Sequence, residues 1–167
     1  MYKIHTDGAC SGNNSRFKCD GGYGYVITKT DADHTIIIEG GGHCSNTTNN
    51  RMEMTAVIES LKRLKKYNNG KNGNTTEEEC VIITDSKYVC ENWNDYFDMW
   101  KSRGWIKSNG ASVLNIDLWK AIDNETSDFK SVEFSWVKGH ANNSFNIKAD
   151  ELAKGNIKAL RRLSCSK

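Results

Sequence analysis

Cys80-Val81-Ile82-Ile83-Thr84, followed at once by Asp85-Ser86, is the stretch on which the architecture turns. A short continuous apolar run of this kind, with no alternation, reads as a strand covered on both faces of a sheet. Upstream, Met54, Val57, Ile58, Leu61 and Leu64 recur at steps of three and four, the buried stripe of a helix that begins near Asn49 or Asn50 and closes in the polar stretch 68–74. Before it, Tyr2, Ile4 and Thr6 alternate with Lys3, His5 and Asp7, a strand ending in an Asp-Gly turn at 7–8. A loop rich in Gly, Asn and Ser runs to Gly22, and 24–30 and 35–39 read as two strands about Asp31-Ala32-Asp33, completing an antiparallel unit of three. Downstream, 86–101 reads as helical but broken, and Leu114, Leu118, Trp119 and Ile122 mark another helix. Val132, Phe134 and Trp136 alternate as a last strand, and 149–163 is a closing helix with Leu152, Ala153 and Leu160 inward. The expected fold is α/β: a five-stranded mixed sheet, three antiparallel strands plus two parallel, flanked by helices. It forms a single domain over 1–163 with a short tail at 164–167.

Composition sets the outer bounds. A chain of 167 residues buries roughly 70% of its unfolded surface, enough to fold without a structural metal or disulfide. At 37% hydrophobic and 26% charged it is neither fibrous nor disordered, and 23 basic against 21 acidic residues leave overall charge uninformative about partners. Runs such as Val81-Ile82-Ile83 fall far short of the ~20 residues of a membrane helix, and residues 1–15 hold no apolar block of signal-peptide length. An intracellular protein is expected, with cytoplasm, nucleus and organelle left open. Six cysteines without a CxxC pair exclude zinc-ribbon and thioredoxin readings, and free thiols are the expectation.

Four carboxylates carry the chemistry: Asp7 after the first strand, Glu53 early in the first helix, Asp85 after the apolar strand and Asp150 opening the last helix. Each has an ordinary explanation taken singly. Asp7 could form a turn ahead of Gly8, Asp85 could cap the following helix, and Glu53 and Asp150 could complement helix dipoles. Topology joins them. A right-handed crossover through the first helix lays 80–84 parallel to the first strand, so Asp7 and Asp85 emerge side by side at strand carboxyl ends. Glu53 and Asp150 come from helices on the same sheet. Clustered carboxylates need cations, and all-oxygen ligation at a shallow site suits Mg²⁺.

Five blocks resemble the signatures of type 1 ribonuclease H: Thr6-Asp7-Gly8-Ala9-Cys10, Thr47-Thr48-Asn49-Asn50-Arg51-Met52-Glu53, Ile83-Thr84-Asp85-Ser86, Trp136-Val137-Lys138-Gly139-His140 and Ala149-Asp150-Glu151-Leu152-Ala153. They stand in that family's order with similar spacing across nearly the whole chain. The resemblance implies a ribonuclease H-like fold and an endonuclease that cuts the RNA strand of RNA/DNA hybrids, leaving a 5′-phosphate and a 3′-hydroxyl. It implies two Mg²⁺ ions, with Mn²⁺ as a substitute, held by Asp7, Glu53, Asp85 and Asp150. His140 would move protons near neutrality or help product leave.

The same resemblance assigns RNA contacts to Cys10, Gly12, Asn13, Asn49 and Asn50, small polar groups suited to reading 2′-hydroxyls. It assigns a DNA-phosphate pocket to Thr48 and Asn115. Residues 99–107 carry Trp100, Lys101, Arg103 and Lys107 without an acid, and look like the family's basic handle, with Tyr96 near the channel. Three departures stand out: Asn14 where the family often has Pro, with an added or substituted 15–20 loop; Lys87 where a neutral residue is common; and a His140 loop without Pro. Lys87 has two readings, a phosphate or base-edge contact or a solvated side chain. Two alternatives stay open: another metal nuclease on this sheet, and an inactive hybrid-binding copy. No obligate protein partner and no oligomer is implied.

Overall fold

A computed structural model of the chain describes residues 1–11, 19–30, 35–70, 77–139 and 143–165. Strands β1 (Tyr2–Cys10), β2 (Cys19–Thr30) and β3 (Thr35–Thr47) precede helix α1 (Asn49–Gly70), and β4 (Glu79–Thr84) follows it. Then come α2 (Lys87–Glu91), a π-helical turn (Asn92–Tyr96), α3 (Phe97–Ser102), α4 (Ile116–Thr126), β5 (Ser131–Trp136) and α5 (Ser144–Cys165). The sheet runs β3-β2-β1-β4-β5. β1 is antiparallel to β2, and β2 to β3. β4 lies parallel to both β1 and β5. The mixed five-stranded sheet expected from the pattern is what forms.

The core follows the apolar periodicity. Met54, Val57, Ile58, Leu61 and Leu64 of α1 are all buried against Ile4 of β1, Ile27 of β2 and Ile82 of β4. Beyond β4, an aromatic cluster fills the other end. Trp93 stacks between Phe97 and Phe134 at centroid separations of 4.2 and 4.6 Å, and Trp100 meets the fully buried Trp119 edge-on. The π-helical turn is the break anticipated within 86–101. Leu114 lies outside α4 and is exposed, a correction to its expected place on the buried stripe.

Boundaries differ from expectation in three places, and glycine explains two of them. β1 continues past Asp7 to Cys10, so residues 7–8 form no turn; Asp7 faces Gly24 and Gly8 faces Tyr23 in the β2 ladder. β2 begins at Cys19 and β3 runs on to Thr47, through segments without alternating side chains. Gly22 and Gly24 are strand residues because α5 lies directly on them: a Cβ on Gly24 would strike the Ala149 carbonyl and come within 2.6 Å of Leu152 Cβ. Third, α5 starts at Ser144, five residues before Ala149, and extends past 163. Its first turns dock on β1 through the buried His5, whose Nδ1 hydrogen-bonds Asn146 Oδ1 at 2.7 Å and whose ring meets Phe145.

The cysteine expectation is also corrected. Cys10 and Cys19 are joined in a disulfide with Cα atoms 6.0 Å apart, whereas Cys44, Cys80 and Cys90 are free. No helix among the described residues is long and apolar enough to cross a membrane.

Candidate active site

The parallel register pairs Thr6 with Thr84, so one residue further on Asp7 and Asp85 stand at adjacent strand positions. α1 approaches β1 closely at this level because Gly8 has no side chain; a Cβ there would lie 2.5 Å from the Met52 carbonyl carbon and 2.8 Å from Glu53 Cα. Glu53 is thereby brought to Asp7. On the other face, His5 meets Asn146; two residues along β1 and one turn along α5, Asp7 meets Asp150. An oxygen from each of Asp7, Glu53 and Asp85 lies within 4.8 Å of the others. Asp150 lies beside Asp7 and raises its carboxyl pKa, and both line one cavity of about 70 Å³ with Thr6, Asp85, Gly139, Asn146 and Ile147.

The ordinary explanations for these acids fall away. Asp7 lies within a strand. The cap of α2 is Ser86, whose hydroxyl accepts from Val89 N, so Asp85 is not the cap. Glu53 is the fifth residue of α1 and Asp150 the seventh of α5, beyond the first turns where the dipole acts most strongly.

Crowding shows in the electrostatics. Burial, then the charge of Asp85 and the contact with Asp150, pushes the Asp7 carboxyl up to about 8, with the Gly8 backbone hydrogen bond opposing. Glu53, 4% exposed, is raised well above the usual carboxylate range by burial first and then by Asp7 and Asp85. Its Oε1 accepts from Asn49 Nδ2 at 3.5 Å, while its buried Oε2 has no hydrogen-bond partner. Lys154 pairs with Asp150, its Nζ 2.7 Å from Oδ2. Hard oxygen donors, an orphaned carboxylate oxygen and mutual repulsion fit a divalent cation such as Mg²⁺ or Mn²⁺. Gly139 keeps the mouth open: a Cβ there would sit 2.6 Å from Asp85 Oδ2.

Around the cluster, Thr48 Oγ1 accepts from the Arg51 backbone N–H, and Asn49 and Asn50 are exposed. Asn115, at φ +58°, precedes α4 with its amide held from both sides: Oδ1 accepts from Arg51 Nη1 at 3.3 Å, and Nδ2 donates to Tyr88 Oη at 3.0 Å. Arg51 is itself locked by Asp117 in a bidentate pair. Neither Arg51 nor Asp117 is a contact residue expected from the sequence, although Arg51 stands within the Thr47–Glu53 block.

In the basic segment, Trp100 is 6% exposed and belongs to the core; the exposed ring is Tyr96, stacked on it. Lys101 is paired with Asp123 at 2.8 Å. Arg103 is exposed, and Lys107 anchors a tight turn through Lys107 N to Ala111 O. Gly12, Asn13 and His140 lie outside the described residues. Cys10, half-buried, has its sulfur committed to Cys19.

Sheet order and acidic cluster define a class: an α/β protein with carboxylates gathered where the parallel β1–β4 ladder ends, a group able to hold a divalent cation. Comparison with known proteins narrows it. The RNase H family model matches residues 1–158. Ribonuclease HI of Rickettsia prowazekii is 42% identical over 163 residues, covering 97% of this chain and 95% of that protein. Ribonuclease H of Maricaulis maris is 37% identical over 158 residues, covering 95% and 94%. Among solved structures, LC9-RNase H1, a type 1 RNase H with the type 2 active-site motif, superposes with a TM-score of 0.78 at 28% identity, covering 95% of this chain and 72% of that one. The PFV RNase H domain gives 0.71 at 26% identity, covering 95% and 94%. The chain belongs to the ribonuclease H family, and is a nuclease that hydrolyses phosphodiester bonds.

Proposed function

We propose that this protein is an endonuclease that cuts the RNA strand of RNA/DNA hybrids with two divalent ions, leaving a 5′-phosphate and a 3′-hydroxyl. The observation that carries the reading is the meeting of Asp7, Glu53 and Asp85 oxygens within 4.8 Å, with Asp150 lining the same cavity as Asp7. Asp7, close to all three others, would hold metal together with Asp85, and Glu53 and Asp150 would complete the ligand set. When bound, the ions supply an activated water and charge stabilisation for the departing 3′-oxygen. All four carboxylates come from one chain, so the centre is complete in a monomer.

The remaining residues bind and orient the substrate. Exposed Asn49 and Asn50, together with Gly12, Asn13 and the backbone at Cys10, would meet ribose hydroxyls across the minor groove, a contact that DNA does not offer. Thr48 and Asn115, the latter held by Arg51, would grip a phosphate of the DNA strand. Tyr96 would lie near the channel, and His140 would carry protons at neutral pH.

A labelled RNA/DNA hybrid, incubated beside RNA/RNA and DNA/DNA duplexes with and without Mg²⁺, tests the reading. Metal-dependent cleavage confined to the RNA of the hybrid is expected. Cutting of duplex DNA would favour another nuclease chemistry on the same sheet, and tight hybrid binding without cleavage would favour an inactive copy.

The pairing of Lys101 with Asp123 sharpens what the basic segment contributes. Replacing both Arg103 and Lys107 by Gln should flatten the dependence of log Kd on log salt by about two counterions. Lys101→Gln should change it by less than Arg103→Gln, because its charge is already compensated. Binding titrations in EDTA at four salt concentrations check this, and equal effects for all three would show that the ion pair opens on the substrate.

A further inference from the structure

Trp136 ends β5 beside the acidic cluster, yet unlike Phe134, two residues earlier on the strand, it is 43% exposed. Its indole N–H donates to the backbone carbonyl of Asp85 at 3.0 Å, just beyond the last β4–β5 ladder pair, Thr84 with Trp136. The backbone of Asp85 is thus tethered where the strand ladder stops: Val137 N bonds Thr84 O at 2.9 Å, and the next carbonyl is taken by the indole. The ring also seats a cation. The Lys87 ammonium stands 5.2 Å from its centroid, within the range of a cation–π contact. Lys87 is exposed at the start of α2, two residues from Asp85. An ammonium resting on an aromatic face remains available to a phosphate in a way that the Asp123-paired Lys101 does not.

We propose that Trp136 is a positioning residue of the acidic centre: its indole N–H fixes the backbone beneath Asp85, and its exposed face seats Lys87 as a phosphate-binding cation at the rim. This rests on the reading of the centre as a nuclease site for a polyanionic substrate. The two jobs use different parts of one side chain. The N–H acts on the ligand set, and the partners that orient metal ligands commonly carry a tenfold or larger share of metal affinity or rate. The ring acts on Lys87, whose charge reaches the substrate whether or not metal is bound.

Conservative variants separate the two. Trp136→Phe keeps a ring and loses the N–H. It should lower kcat and calorimetric Mg²⁺ affinity by about tenfold, with KM within about twofold and the salt slope of hybrid binding in EDTA unchanged. Lys87→Gln should reduce that slope by about one and weaken binding at low salt, and Lys87→Arg should restore both. Trp136→Leu should show both defects. Thermal melts of each variant exclude unfolding as the cause. If Trp136→Phe retains wild-type kcat and Mg²⁺ affinity, or Lys87→Gln retains the wild-type slope, the proposal is overturned. These outcomes are read against a wild-type protein that cuts hybrid; a wild type that does not cut removes the functional reading itself.

Discussion

In Asp7→Asn, cleavage falls by at least about a thousandfold, while the metal-free protein melts several degrees higher than wild type at neutral pH. The two effects share one cause. Burial and the charges of Asp85 and Asp150 hold the Asp7 carboxyl up to about 8 in the folded chain, against 3.8 when unperturbed. Below the lower value both states are protonated and the group contributes no difference. Between the two values the native state keeps a proton that the unfolded state has lost, so stability of the metal-free protein declines as pH rises through this window; above about 8 the full penalty is present. Glu53 is displaced in the same direction and adds to the decline. An amide at position 7 removes one charge from the crowded cluster together with a carboxylate that the proposed metal site would use. Melting curves from pH 4 to 9 in EDTA should therefore slope downward for wild type and be flatter for Asp7→Asn. Excess Mg²⁺ should raise the wild-type curve most at the alkaline end and leave the variant nearly unmoved. If the variant is less stable than wild type in EDTA at pH 8, the carboxylates are not repelling one another as described.

What the sequence made legible depends on how much of each element's reason for existing is written in apolar periodicity. The α1 stripe and the β4 run are set by buried side chains, and both formed within a residue or two of expectation. β2 and β3 are different. Their glycine-rich halves owe strand conformation to the contact of α5 with Gly22 and Gly24 and to long-range pairing, neither of which leaves a local pattern. Reading Asp7-Gly8 as a turn and the stretch to Gly22 as loop ended β1 early and hid the register that brings Cys10 to Cys19. The late start assigned to α5 has the same origin, because the His5–Asn146 contact that docks its first turns spans 141 positions. The carboxylates themselves were named from their blocks, since acids at strand ends and on flanking helices remain visible in sequence. The groups that hold them were not. Gly8 and Gly139 act by lacking a side chain, and Trp136 acts on a backbone carbonyl.

Gly24→Ala tests how far the site depends on that close approach. The added methyl would collide with the Ala149 carbonyl and lie 2.6 Å from Leu152 Cβ and 2.8 Å from Ala153 N, atoms at or near the backbone of α5 that no rotamer change can withdraw. The helix must shift as a body or the strand must bend. Overpacking of this kind costs about 3 kcal/mol or more when nothing flexible can yield, on the order of 10 °C in melting temperature for a chain of this size. Because Asp150 is the residue after Ala149, the displacement acts on the cluster directly, and activity should fall even at temperatures where the variant is folded. Gly155→Ala is the matching control. It lies on the same helix, nothing stands within 4 Å of its Cβ position, and replacing a helical glycine by alanine should stabilise by about 0.5–1 kcal/mol. The opposite signs separate a loss of packing space from a general sensitivity of α5 to substitution. If both variants destabilise alike, or Gly24→Ala melts with wild type, α5 does not rest on β2 as closely as described, and the placement of Asp150 beside Asp7 loses its structural cause.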